Sequence, residues 1–66
     1  MKNHIEELRN RKGIRQEELA RAMQVSRQTI SSLENGRYNP SIILAHKIAR
    51  FFGMTIEEVF VFDQEE

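Results

Sequence analysis

The stretch "QEELARAMQVSRQTISSLENG", Gln16 to Gly36, holds two helical patterns separated by a very short connection. In the first, over about Gln16 to Met23, Leu19, Ala20 and Met23 recur at helical spacing, and Glu17 and Glu18 suit the positive end of a helix dipole. In the second, Ser26 is placed to cap, and Val25 before it can pack on Ile30 as a hydrophobic staple. Asn35-Gly36 ends that run. Only Ile30 and Leu33 are large and apolar within it. Its other side carries Arg27, Gln28, Ser31 and Ser32, with Thr29 near the boundary. Solvated helix faces usually favour Glu and Lys, which are strong helix formers. This one spends weak formers there, a local cost that makes better sense as function.

Outward from this pair, the patterns remain helical. Gly13, Gly36 and Gly53 each follow an apolar periodic run, where a left-handed residue is wanted. A first helix is expected from about Lys2 to Lys12, with Ile5 and Leu8 inward and Ile14 as an anchor behind it. In "NPS", Asn39 is expected to cap a fourth helix with Pro40 in its first position. Leu44, Ala45, Ile48, Ala49 and Phe52 form its inner face. "TIEE", Thr55 to Glu58, is a capping box for a short fifth helix carrying Ile56, Val59 and Phe60. The tail "VFVFD", Val59 to Asp63, alternates apolar residues, so a short strand pairing with Met1 to Asn3 is expected to close the chain. No linker or repeat interrupts it, and the reading is a single domain over 1–66, all-α with five helices.

Composition narrows the function. Sixty-six residues leave no room for a second core, and a core this small rarely yields more than about 3–5 kcal/mol, which favours oligomerisation. Cysteine is absent, so no disulfide or thiolate metal site is expected. His4 and His46 lie far apart without ligands at metal spacing. No glycine-rich phosphate loop or enclosed nucleophile-base arrangement is present. An enzyme, a cofactor and a small-molecule ligand are not expected. Nothing reads as a signal peptide or membrane span, so the expected compartment is the cytoplasm. All ten Lys and Arg lie within residues 1–50 against five acids, leaving that stretch five charges positive. Residues 51–66 hold the other five acids and no base. Such asymmetry suits a basic face for a polyanion and an acidic end turned away from it.

The unusual helix face then acquires a chemical meaning. Arg pairs with guanine, Gln with adenine, and Ser or Thr with either, and a helix fits the major groove with its first residues at the bases. Residues of about 16–35 thus read as a helix-turn-helix motif for double-stranded DNA. In the loop after it, Arg37, Tyr38 and Asn39 are candidates for clamping a phosphate, with core packing the other reading for Tyr38. Lys12 and Lys47 suit either phosphate contact or simple solubility.

The segment "RKGIRQEELARAMQVSRQTISSLENGRYNPSIILAHKIARFFGMTIEEVF" resembles the XRE family, whose domains are similar to the Cro and cI repressors of lambdoid phages. "QEELA", "VSRQTIS", "LENG" and "NPS" carry the resemblance in order and spacing. It implies a lambda-repressor-like fold and a short, typically dimeric transcription regulator. It implies Arg27, Gln28 and Ser32 as principal base readers, with Ser31 and Thr29 beside them. Gln16 would brace the reading helix and touch a phosphate, in company with Arg15, Ser26, Arg37, Tyr38 and Asn39. Arg9 and Glu34 match an internal ion pair. Two departures stand out. Arg15 occupies a position where the family often has a capping Thr or Ser, and Gln24 one where it often has Gly.

These features converge on a homodimeric DNA-binding regulator, a repressor on a palindromic operator. Phe60, Val61 and Phe62 are too many for the core and are expected at the dimer contact, with Asp63, Glu65 and Glu66 away from DNA. The alternatives are an antitoxin-like module that neutralises a partner protein and, less well supported by the lack of aromatics on the reading helix, an RNA binder.

Overall fold

The computed structural model describes residues 1–62. Its elements are α1 (Ile5–Lys12), α2 (Gln16–Met23), α3 (Arg27–Glu34), α4 (Ile42–Phe51) and α5 (Ile56–Val59). The fold is all-α. Asp63, Glu65 and Glu66 lie outside the described residues.

The first four helices end in the same way. One or two residues beyond each, a residue takes a left-handed backbone and donates its N–H three residues back, and the next N–H reaches five residues back. At α2 these bonds run from Gln24 to Arg21 (3.2 Å) and from Val25 to Ala20 (3.0 Å). At α3 they run from Gly36 to Leu33 and from Arg37 to Ser32, both 3.0 Å. The residue that follows the left-handed one is apolar at three of the four ends, and Ile14, Val25 and Met54 all pack against the core. Three of the left-handed positions are Gly and one is Gln24, at φ 62°. An L residue there costs roughly 1–2 kcal/mol, and Gly would return part of this through its freer unfolded chain. Gln24→Gly is expected to stabilise the domain by about 0.5–1 kcal/mol and raise Tm by about 2–8 °C. A thermal melt checks this; an unchanged or lower Tm would mean that the Gln24 side chain holds the turn by other means.

Capping follows the sequence at α3 and α5. Ser26 Oγ accepts from the Thr29 N–H at 3.1 Å. Thr55 Oγ1 accepts from Glu58 N–H (3.2 Å) while Glu58 Oε1 accepts from Thr55 N–H (2.8 Å). At α2, Arg15 offers no acceptor, and only the return half of such a box forms, with the Arg15 N–H donating to Glu18 Oε1 at 2.7 Å.

Two starts differ from expectation. α1 begins at Ile5, not Lys2, because the preceding backbone is occupied by the C-terminal segment. His4 N–H donates to Val59 O (2.8 Å), and Val61 N–H donates to Lys2 O (2.9 Å). The expected strand pair is reduced, among the described residues, to one antiparallel bridge between Asn3 and Phe60. α4 begins at Ile42, not Pro40, because Ser41 Oγ takes the Leu44 N–H at 3.1 Å. Ser41 thus takes the capping place expected of Asn39, and Pro40 precedes the helix.

The core is built from one face of every helix. Ile5, Leu19, Ile30, Leu33, Ile48 and Val59 are fully buried. Phe60 joins them at 1% exposure, which corrects its expected place at a dimer contact. The bridge to Asn3 holds this residue against the core; strand alternation would set Phe62 on the same side, but Phe62 lies past the edge of the core and is 55% exposed. Val61 is half-buried. No helix among the described residues is long and apolar enough to cross a membrane.

Candidate nucleic-acid interface

α3 presents to solvent the residues that its apolar pair leaves over. Ile30 and Leu33 point inward, which turns Arg27, Gln28, Ser31 and Ser32 to the opposite side. Arg27 and Gln28 are exposed, while Ser31 and Ser32 are half-buried. Thr29 is half-buried too, and its hydroxyl lies 2.9 Å from Ser26 Oγ. That contact engages both hydroxyls in holding the helix start.

A chain of hydrogen bonds ties this face to the interior. Arg9 is buried, and its Nε and Nη2 donate to the two Glu34 carboxylate oxygens at 2.7 and 3.2 Å. Its Nη1 donates to Ile14 O at 3.0 Å. Glu34 Oε1 also accepts from Gln16 Nε2 (2.9 Å), and Gln16 Oε1 accepts from Arg27 Nη1 (3.2 Å). The bond to Glu34, more than any other influence, holds the Arg9 pKa above its ordinary value. The path joins α1, the start of α2 and both ends of α3. It brings together the expected ion pair of Arg9 and Glu34 with Gln16 and Arg27, to which the sequence assigned bracing and base reading. The amide of Gln16 faces α3, so the brace between the two helices is a bond through Arg27 and Glu34.

Arg15 is exposed beside Gln16 at the α2 start. Arg37, Tyr38 and Asn39 are exposed beyond the α3 end. Tyr38 is 45% exposed and, with Ser26, Gln28, Thr29 and Ser32, lines an open depression along α3. Its ring therefore borders the outer face of α3 rather than the core. Lys47 and Lys12 each also make a contact within the chain. Lys47 Nζ donates to Met23 O at 3.2 Å, at the α2 C-terminus, and Lys12 Nζ lies 5.7 Å from the Phe51 ring centroid. Among the described residues no cluster of His, Asp or Glu has a geometry that could hold a metal ion.

A second exposed surface is apolar. Ile42 is 77% exposed and Phe62 55%, and with Ile56 they flank a groove of about 170 Å³ floored by Ala45 and Phe60. Ile42 and Ile56 were not expected here. The signal in the sequence was that the inner face of α4 starts at Leu44, which leaves the preceding "II" without a core position.

The helix-turn-helix family profile matches residues 5–59. An HTH-type transcriptional regulator of Archaeoglobus fulgidus is 53% identical over 66 residues, covering all of this chain and 94% of that protein. One of Methanocaldococcus jannaschii is 47% identical over the full length of both. YgzD of Bacillus subtilis, also an HTH-type transcriptional regulator, is 46% identical over 65 residues, 98% of each chain.

Proposed function

The chain belongs to the helix-turn-helix family of XRE type, and from that premise we propose a repressor that binds a palindromic operator as a homodimer. It is a DNA-binding transcriptional regulator, and it acts by binding, without a catalytic step. One α3 from each subunit enters the major groove, with the two helices about 34–36 Å apart, one turn of B-DNA. Arg27, Gln28 and Ser32 read base edges, and Ser31 and Thr29 support them. Arg15, Gln16, Ser26, Arg37, Tyr38 and Asn39 position the protein on phosphates. Repression follows from occupying a promoter, and the compartment is the cytoplasm, where the operator lies.

The observation that carries this reading is the contrast within α3. Its inner side is locked into the core, while its outer side is rich in donors and acceptors with few internal partners. Arg27 is the exception, and its bond to Gln16 orients the guanidinium before DNA arrives, which lowers the ordering cost of binding. The homodimer rests on the apolar groove of Ile42, Ile56 and Phe62. Ile42 and Phe62 stand out from the core, Ile56 packs against it with one side only, and a small domain gains most from covering such a surface with a second copy. Phe51 is the weaker candidate, since Lys12 lies over its ring and Phe52 packs edge-on against it at 5.1 Å.

Phe62→Asp is expected to lower dimer affinity and operator binding together, with each subunit still folded. Analytical ultracentrifugation beside a gel-shift titration tests both. A variant as dimeric as the parent removes Phe62 from the contact, and a parent that sediments as a monomer when bound to DNA removes the dimer.

A further inference from the structure

We propose that Asn3 is a positioning residue that sets the spacing between the two operator half-sites. It does so by bonding the C-terminal end of the reading helix to the segment that leads to the dimer contact. This assignment rests on the reading above, in which α3 meets DNA and the tail meets a second copy.

The Asn3 side chain sits where three elements meet. Its Nδ2 donates to Leu33 O at 2.8 Å, near the last turn of α3, and to Met1 O at 3.3 Å. Its Oδ1 accepts from Ile5 N–H at 3.1 Å, at the start of α1. Partners on both sides fix the orientation of the amide, since a flipped group would set its oxygen against two carbonyls and its NH2 against an N–H. The backbone of the same residue forms the bridge to Phe60, two residues before Phe62. Asn3 thus touches α3 by its side chain and the tail by its main chain.

The two contacts matter for different things. The bond to Ile5 does for α1 what His4, its N-cap residue, does not, because His4 makes no side-chain cap bond. That is a stabilising role and needs only an acceptor. The bond to Leu33 needs a donor and ties α3 to the tail. In a two-fold dimer any displacement of α3 relative to the tail is repeated in the partner. The error in separation between the reading helices is then up to twice the local shift. One base pair of spacing is about 3.4 Å, so a local movement of roughly half that shifts the preferred register. The arrangement supplies a reason for an amide at this position that capping alone does not.

Asn3→Asp separates the roles. The carboxylate keeps the acceptor for Ile5, loses the donor for Leu33, and sets negative charge against that carbonyl. The measurement is binding at fixed salt to a series of duplexes in which the selected half-sites are moved by −1, 0 and +1 base pair, with a single half-site alongside and a melt of each protein. The parent is expected to lose about tenfold per base pair of misplacement. Asn3→Asp is expected to weaken that preference to about threefold or less and to leave single half-site binding within about twofold of the parent. If Asn3→Asp does not fold, Asn3→Ser is read in its place, since its hydroxyl can still cap α1 but is too short to reach Leu33. A variant that keeps the parent's spacing preference overturns the proposal, as does one whose affinity falls equally on every duplex and on the half-site. A parent with no spacing preference overturns the dimeric reading, and this assignment with it.

Discussion

Arg9→Met is expected to bring the domain close to unfolding. The guanidinium of Arg9 is buried against Glu34, whose side chain is 4% exposed, and two bonds of 2.7 and 3.2 Å join them. Removing one partner of such a pair leaves an uncompensated charge in a poorly solvated place, at a cost of about 3–5 kcal/mol. A domain of this size has only about 3–5 kcal/mol to lose. Methionine fills much of the volume of the arginine stem, so the loss arises mainly from the stranded carboxylate and from the Ile14 carbonyl that Arg9 also satisfies. Gln16 Nε2 offers Glu34 a bond but no charge. The double variant Arg9→Met with Glu34→Leu is expected to recover most of the stability, because replacing both charges by apolar groups removes the desolvation penalty as well as the attraction. Urea unfolding of the three proteins checks this. A single variant within about 1 kcal/mol of the parent would show that water reaches the pair and weakens it.

Leu33→Ala is the second large loss, about 2–5 kcal/mol, since the residue is fully buried where α3 meets the core. The comparison that gives this value meaning is Gln28→Ala, on the opposite side of the same helix. Gln28 is exposed and has no bond within the chain that holds the fold, so its truncation is expected to change stability by no more than about 0.5 kcal/mol. Two melts decide the point. Equal losses for both variants would mean that α3 is buried on two sides and presents no reading face.

What the sequence made legible was what neighbouring residues decide among themselves. Ser26 and Thr55 cap as their local patterns require, and Gly13, Gly36 and Gly53 take the left-handed positions where the helices stop. Misreadings occurred where a distant or competing partner decides. Lys2 to His4 were helical by pattern, but their backbone bonds with Val59 and Val61, some 55 residues on. Asn39 was the expected cap of α4, but the Ser41 hydroxyl takes that place by accepting from the Leu44 N–H. Alternation set Phe60 and Phe62 on one side and Val61 on the other, whereas the structure buries Phe60, half-buries Val61 and exposes Phe62, because the pairing with the N-terminal segment is a single bridge at Asn3 and Phe60. The site divides likewise. The outward residues of α3 follow from helical periodicity and the positions of Ile30 and Leu33. The link from Glu34 through Gln16 to Arg27 spans 18 and then 11 positions in sequence, beyond any local rule. The resemblance to phage repressors supplied the Arg9–Glu34 pair, and the structure adds that the same carboxylate is linked through Gln16 to Arg27.

The central claim is that the outer face of α3 reads bases, and Gln28 tests it with the least disturbance to the fold. An operator is selected from random duplexes with the parent protein, every position is then varied, and affinities of the parent and Gln28→Ala are measured at one salt concentration. The account predicts that Gln28→Ala loses about 1–3 kcal/mol of discrimination at one base pair per half-site and keeps the parent's preferences elsewhere. If Gln28→Ala binds the selected operator as tightly as the parent, with the same preference at every position, α3 does not lie in the groove as described.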